Sequence, residues 1–190
     1  MANTDRVNGF RPVKFDSSMI FPCYHAAGTT VTNDIFVGDL VELDGTAGPQ
    51  GQTGVKVATA GSDEDVYGCV VSIPPQSAYL ERASWMDGAS AGVVMVLTDP
   101  SAIYEAQADD TLAVTDVGQN AMLVQTSAGS RTTGASGQEV DATVATTNTY
   151  ALKIVGFPNR ADNTINSANN KVLVRINLNQ SIGDAGSTGV

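Results

Sequence analysis

Residues 93–107 constrain the fold more than any other stretch of the chain. The first five, Val93-Val94-Met95-Val96-Leu97, are all aliphatic or Met. So short a run, rich in β-branched residues, suits a strand buried on both faces better than a helix. Pro100 ends it, because proline has no N–H for a sheet ladder and holds Asp99 in extended or turn geometry. Beyond this break Ala102, Tyr104 and Ala106 alternate with Ile103, Glu105 and Gln107. That period of two puts the two sets on opposite faces. The pattern predicts two strands joined by a corner, with Asp99 satisfying turn amides and Pro100 fixing the bend. Tyr104 lies on the face opposite Glu105 and Gln107. Glu105 and Gln107 are left free to meet a neighbour.

Similar short apolar or alternating runs recur on both sides. They fall near residues 18–24, 35–43, 55–57, 66–73, 121–124, 150–157 and 171–178, with Gly38 marking a bulge or bend in the second. Gly-, Asn- and Asp-rich turns separate them. A helical turn is plausible only within residues 76–90. About eight short strands and almost no helix predict an all-β body, a single barrel or sandwich. Around it the reading assigns an extended N-terminal arm at residues 1–14 and a body at 15–180. A long Ser/Thr/Gly-rich loop at 125–149 interrupts the body, and a flexible tail follows at 181–190. In the arm, Gly9 and Pro12 discourage regular structure, yet Phe10 is too large to leave casually in water.

Charge narrows the partners. The chain carries a net charge of −10, but unevenly. Arg6, Arg11 and Lys14 lie near one end and Lys153, Arg160, Lys171 and Arg175 near the other, so both ends are mildly basic around an acidic middle. Nucleic-acid binding needs clustered Lys and Arg, so the acidic body argues against it and against anionic membranes. No run reaches the roughly 18 apolar residues of a membrane span, and the N-terminus lacks a secretory pattern. Only 16% of residues are charged, which leaves a surface of Ser, Thr, Asn, Gln and Gly suited to packing against other large assemblies.

No motif specifies a catalytic, cofactor or metal site. Cys23 and His25 would share a strand face without a third orienting group, and they are too few for structural zinc. Cys69, the other cysteine, has apolar neighbours and reads as a small buried thiol. Asp63-Glu64-Asp65 and Asp109-Asp110 could offer oxygens to calcium, but solvated turns are the commoner use. Gly134-Ala135-Ser136-Gly137 has the glycines of a phosphate loop without its Lys or its helix. The expectation is a non-enzymatic protein with no cofactor.

Several segments nonetheless resemble one family in order. Ala2-Asn3-Thr4-Asp5 and Gly9-Phe10-Arg11-Pro12-Val13 are followed by Phe36-Val37-Gly38-Asp39, then by Asp99-Pro100 with Tyr104-Glu105-Ala106-Gln107. Next come Asp116-Val117-Gly118-Gln119-Asn120-Ala121 and Thr133-Gly134-Ala135-Ser136-Gly137 with Glu139 and Asp141. Leu152-Lys153-Ile154, Asn159-Arg160-Ala161-Asp162-Asn163 and Leu173-Val174-Arg175-Ile176-Asn177 complete the series. Together they resemble the head decoration, or capsid cement, proteins of tailed bacteriophages; the apolar run in residues 15–33 departs from that pattern. The resemblance implies a structural virion protein, made in the bacterial cytoplasm and seated on the outer capsid surface. Its partners would be the major capsid protein and itself, as a homotrimer at threefold positions. Phe10, Arg11, Pro12 and Val13 are then the expected capsid contacts, with Phe10 as the anchor. The alternative is a carbohydrate-binding β-sandwich that uses Trp85 and Tyr79.

Overall fold

Alternating side chains divide this chain between two cores. The computed structural model describes residues 3–27, 34–61, 65–75, 84–183 and 186–189. Within them lie thirteen strands: β1 (Arg11–Lys14), β2 (Ile20–His25), β3 (Ile35–Phe36), β4 (Leu40–Ala47), β5 (Thr53–Val57), β6 (Gly68–Ser72), β7 (Trp85–Met86), β8 (Gly92–Leu97), β9 (Ile103–Gln107), β10 (Asn120–Gln125), β11 (Gln138–Ala145), β12 (Leu152–Gly156) and β13 (Lys171–Ile176). Two single 3-10 turns, Ser17–Met19 and Val114–Asp116, are the helical elements among the described residues.

Strands β2-β5-β4-β6-β8 close into a barrel. Strands β1-β9-β13-β12-β10-β11 form an open sheet beside it, and β3 and β7 pair separately. One core fills the barrel with Cys23, Val41, Val55, Val70, Val94 and Val96. The other lies under the open sheet and gathers Phe10, Tyr104, Leu123, Leu152, Ile154, Val172 and Val174. Neighbouring residues of one strand serve different cores. Leu40, Cys69 and Leu97 belong to the sheet core, whereas the adjacent Val41, Val70 and Val96 belong to the barrel core. A strand sends successive side chains to opposite faces, so these three strands form the wall between the cores.

The all-β reading therefore describes the chain. The 93–107 stretch becomes β8 in the barrel and β9 in the open sheet, and its corner carries the chain from one to the other. Ala102, Tyr104 and Ala106, which the alternation puts on one face, are all buried.

Several boundaries differ from the sequence reading. The N-terminal arm is not a separate element, because Arg11–Lys14 pairs antiparallel with β9 and forms an edge of the open sheet. Pro12 and a bulge before Lys14 sit in that edge strand, where a missing N–H and a broken register cost least. The supposed loop at 125–149 contains β11, which pairs with β10 from Asn120–Ala145 down to Gln125–Gln138. Nor is the tail loose where it is described. Asn120 Nδ2 donates to the Ser187 carbonyl at 2.7 Å, Ser187 N donates to Asn177 Oδ1 at 3.0 Å, and Gly189 N donates to the Thr146 carbonyl at 3.0 Å. In the 76–90 segment, residues 76–83 lie outside the described residues and Trp85–Met86 is a strand.

Candidate interaction surface

Three separated segments lock together where the N-terminus meets the barrel. Gly9 and Gly38 both take positive φ, +63° and +96°, which L side chains rarely adopt. A Cβ on Gly9 would stand 2.5 Å from Ser136 Cβ and 2.6 Å from the Gly38 carbonyl oxygen. Phe10 N donates to that carbonyl at 2.8 Å, and Gly38 N donates to the Val70 carbonyl at 2.8 Å. Asp39 Oδ2 accepts from Phe36 N at 2.7 Å, and Val37 bridges to Ala135. Burial pushes the Asp39 carboxyl up to about 7, against the pull of Ser136 and Phe36 N. The Gly9-Phe10, Phe36–Asp39 and Thr133–Gly137 motifs are thus one joint.

That joint settles the four expected contact residues. Phe10 is 1% exposed and part of the sheet core, so it is not a free anchor; its ring is used inside the fold. Pro12 is half-buried, while Arg11 and Val13 are exposed, Val13 by 53%. Phe15 and Phe21, which the sequence reading did not single out, are exposed as well. Arg11, Val13, Lys14 and Phe15 of this stretch are therefore exposed to another molecule, whereas Phe10 is not.

At the corner, Asp99 Oδ1 accepts from Ser101 N at 2.8 Å and Ser101 Oγ at 2.7 Å, and its Oδ2 accepts from Asp16 N at 2.8 Å. Burial alone would raise this carboxyl. The Ser101 and Asp16 hydrogen bonds outweigh it and hold the pKa below the ordinary range. Pro100 follows at the turn. Glu105 and Gln107 are not free to meet a neighbour. Arg160 pairs with Glu105 at 2.7 Å, and Gln107 accepts from Arg6 N at 3.0 Å and donates to Asp5 Oδ1 at 3.1 Å. Both residues hold the N-terminal segment and the 160-region against β9.

These contacts build a cleft of about 550 Å³. Arg6, Arg11, Arg160 and Lys171 line it together with Glu105 and Asp162; Glu105 lies on β9, between the strands that carry Arg11 and Lys171. Four cations face two carboxylates, in a chain whose net charge is −10. Arg160 is held by Glu105 and by Asp162 at 3.2 Å, and Lys171 also pairs with Asp162. Asn3 fixes the far end of the wall by accepting from Thr164 N at 2.7 Å and donating to the Ala168 carbonyl at 3.1 Å. A second cleft, of about 420 Å³, lies on the other side of the N-terminal segment and includes Pro12, Val37, Val70, Val71 and Ala135 in its lining. Asn8 and Arg11 line both.

The sequence reading did not place Arg6, Arg160, Asp162 and Lys171 in one site. The signal was present as two mildly basic ends. It becomes a site only because β9 pairs with β1 on one side and β13 on the other.

Among the described residues, the other candidates are engaged within the fold. Cys23 and His25 are both buried in the barrel wall. Burial pushes the Cys23 thiol up to about 11 and the His25 ring down, so neither ionises readily at neutral pH. His25 Nδ1 lies 3.4 Å from the Val55 carbonyl. Asp109 Oδ1 accepts from Ala142 N and Asp110 Oδ1 from Thr111 N, both at 2.8 Å. Asp63, Glu64 and Tyr79 lie outside the described residues. Trp85 stacks with Phe36, ring centroids 6.3 Å apart, and the Arg131 guanidinium sits 4.8 Å over the Trp85 ring. Among the described residues no three His, Cys, Asp or Glu side chains converge as a metal-binding group. No helix among them is long and apolar enough to cross a membrane. No family model, curated protein or solved structure matches the chain.

Proposed function

We propose that this protein is a structural virion component, a head decoration or cement protein of a tailed bacteriophage. It is made in the host cytoplasm and seated outside the expanded capsid. There it contacts the major capsid protein and copies of itself, as a homotrimer at threefold positions. The reading rests on the ordered resemblance, and one structural observation supports that resemblance. Motifs from three distant stretches, at Gly9-Phe10, Phe36–Asp39 and Thr133–Gly137, interlock through backbone contacts that tolerate few other residues. Chance matches would have no reason to fall on the positions that close the fold.

The physics of the role is simple. A protein that binds only the expanded lattice stabilises that lattice by its binding free energy. Three equivalent contacts per trimer let modest interfaces act together. The contact surface is the exposed side of the N-terminal segment, with Val13 and Phe15 as its apolar part and Arg11 as its charged part. No observation favours the carbohydrate-binding alternative, since Trp85 is engaged by Phe36 and Arg131.

The test is co-sedimentation with undecorated expanded heads of the phage that carries the gene. The wild-type protein is expected to bind saturably, and the Val13→Ser/Phe15→Ser variant to lose most of its occupancy while keeping the wild-type circular dichroism spectrum. Absence of wild-type binding would overturn the role. A map of decorated heads with isolated monomers away from threefold positions would overturn the trimer.

A further inference from the structure

The geometry points to a polypeptide ligand for the paired clefts: an extended partner segment that places carboxylates in the basic cleft and an apolar side chain in its neighbour. The inference rests on the preceding reading only for the idea that this face meets another protein.

Three observations carry it. The first is charge. Arg6 and Arg11 line the basic cleft and neither has an ion pair among the described residues, whereas Arg160 and Lys171 are already held by Glu105 and Asp162. The two arginine forks are thus the unspent donors of the cleft, and a guanidinium binds a carboxylate through two parallel hydrogen bonds.

The second is composition. Glu105 and Asp162 stand among the cations, and the chain as a whole is strongly negative. Any anion meets these repulsions, but a polyphosphate or nucleic-acid strand meets them at higher charge density and gains little from the apolar cleft next door that would offset them. A polypeptide carries carboxylates and apolar side chains within a few residues of each other, so it can use both clefts at once.

The third is construction. The wall between the clefts is the N-terminal segment itself, and Asn8 and Arg11 line both sides. That wall is pinned by Asn3 to the Thr164 and Ala168 backbone, by Gln107 to Arg6 N, and by Phe10 N to the Gly38 carbonyl. A ligand therefore meets a preformed ridge and spends little on ordering it.

Fluorescence anisotropy tests this without any capsid, so its outcome is read separately from the role in decoration. The probe is a fluorescein-labelled, amidated peptide, Gly-Glu-Asp-Glu-Gly-Leu-Val-Gly. Two controls replace either its acids by their amides or its Leu and Val by Ser. The full peptide is expected to bind saturably at one site and each control at least about fivefold more weakly. Arg6→Ala/Arg11→Ala should weaken binding about tenfold, and Arg6→Lys/Arg11→Lys by less, because charge remains while the fork is lost. Lys14→Ala/Arg175→Ala removes the same charge outside the cleft lining and should change affinity by less than about twofold. Raising salt from about 50 to about 300 mM should weaken the peptide markedly.

Equal binding by the Arg6→Ala/Arg11→Ala variant and wild type would overturn the proposal. So would displacement of the peptide by tripolyphosphate or a ten-nucleotide oligothymidylate at equal concentration. No peptide binding, together with loss of a wild-type oligomer in the arginine variant by sedimentation velocity, would overturn it in favour of a second copy of this chain.

Discussion

Gly9 shows how little room the joint leaves. Its positive φ and the 2.5 Å approach of a Cβ to Ser136 give alanine no relaxed position there. Gly9→Ala should destabilise the fold by about 2–4 kcal/mol, read as a lower urea midpoint with an unchanged slope. Asp39 makes the same joint sensitive to pH. Its carboxyl is buried and raised to about 7, whereas an unfolded aspartate titrates near about 4. Between those values the folded state binds more protons than the unfolded state. The Asp39 contribution to stability is therefore full below the unfolded pKa. It falls as pH rises toward about 7, at up to about 1.4 kcal/mol per pH unit, and stays low above that. Asp99 is held below its ordinary range and acts in the opposite sense, losing stability as pH falls through its folded pKa. Asp39→Asn isolates the first effect. The stability of the wild type relative to this variant should decline between about pH 4 and pH 7 in urea titrations. A flat difference would show that Asp39 titrates normally.

Among elements, β1 and β11 account for most of the distance between sequence and structure. Both end the strand order of the open sheet; the second side of β11 has only a short contact, the Ala108–Val140 bridge, and at such positions a strict apolar alternation is not required. Arg11-Pro12-Val13-Lys14 and Gln138-Glu139-Val140-Asp141 carry few large apolar residues, so composition reads them as arm and loop. Strands such as β8, with its continuous apolar run, and β9 and β13, with their alternation, are legible. Within β11 the key residue is polar. Gln138 is 1% exposed; its Oε1 accepts from Leu40 N at 2.6 Å and its Nε2 donates to the Leu40 carbonyl at 3.3 Å. The amide side chain thus replaces a strand in joining sheet to barrel. Gln138→Leu should cost about 1–3 kcal/mol, because it leaves the buried Leu40 amide without its acceptor, while the Leu40 carbonyl keeps its bond from Ala58 N. Hydrogen exchange at the Leu40 amide is the direct check, and it should accelerate. The Phe10 ring makes a related point for β1. Phe10→Ala should cost about 3–5 kcal/mol as a buried cavity mutation. Deleting the whole segment would therefore confuse lost contact with lost fold, and surface substitutions at Val13 and Phe15 are the cleaner probe.

For the whole molecule, the two cores share a wall. Leu40, Cys69 and Leu97 face one core and Val41, Val70 and Val96 the other, so neither the barrel nor the open sheet is complete alone. Thermal unfolding monitored by tryptophan fluorescence and by circular dichroism should give one coincident transition. Two separated transitions would count against the shared wall. The cleft is also a property of this scale. Its cations come from opposite ends of the chain, and no local pattern announces a site whose halves lie about 150 residues apart. The pairing of N-terminal segment with late partners has one more consequence, which concerns synthesis. Asn3 bonds to Thr164, 161 positions downstream, and Arg11 pairs with Glu105. At about 5–20 residues per second, Asn3 is synthesised about 8–32 seconds before Thr164. Until then the ridge between the clefts has nothing to lie on, and the Phe10 ring waits in water for its core. A nascent chain stalled shortly before residue 164 should still be cleaved by protease near Arg6 and Arg11, and the released full-length chain should be protected there.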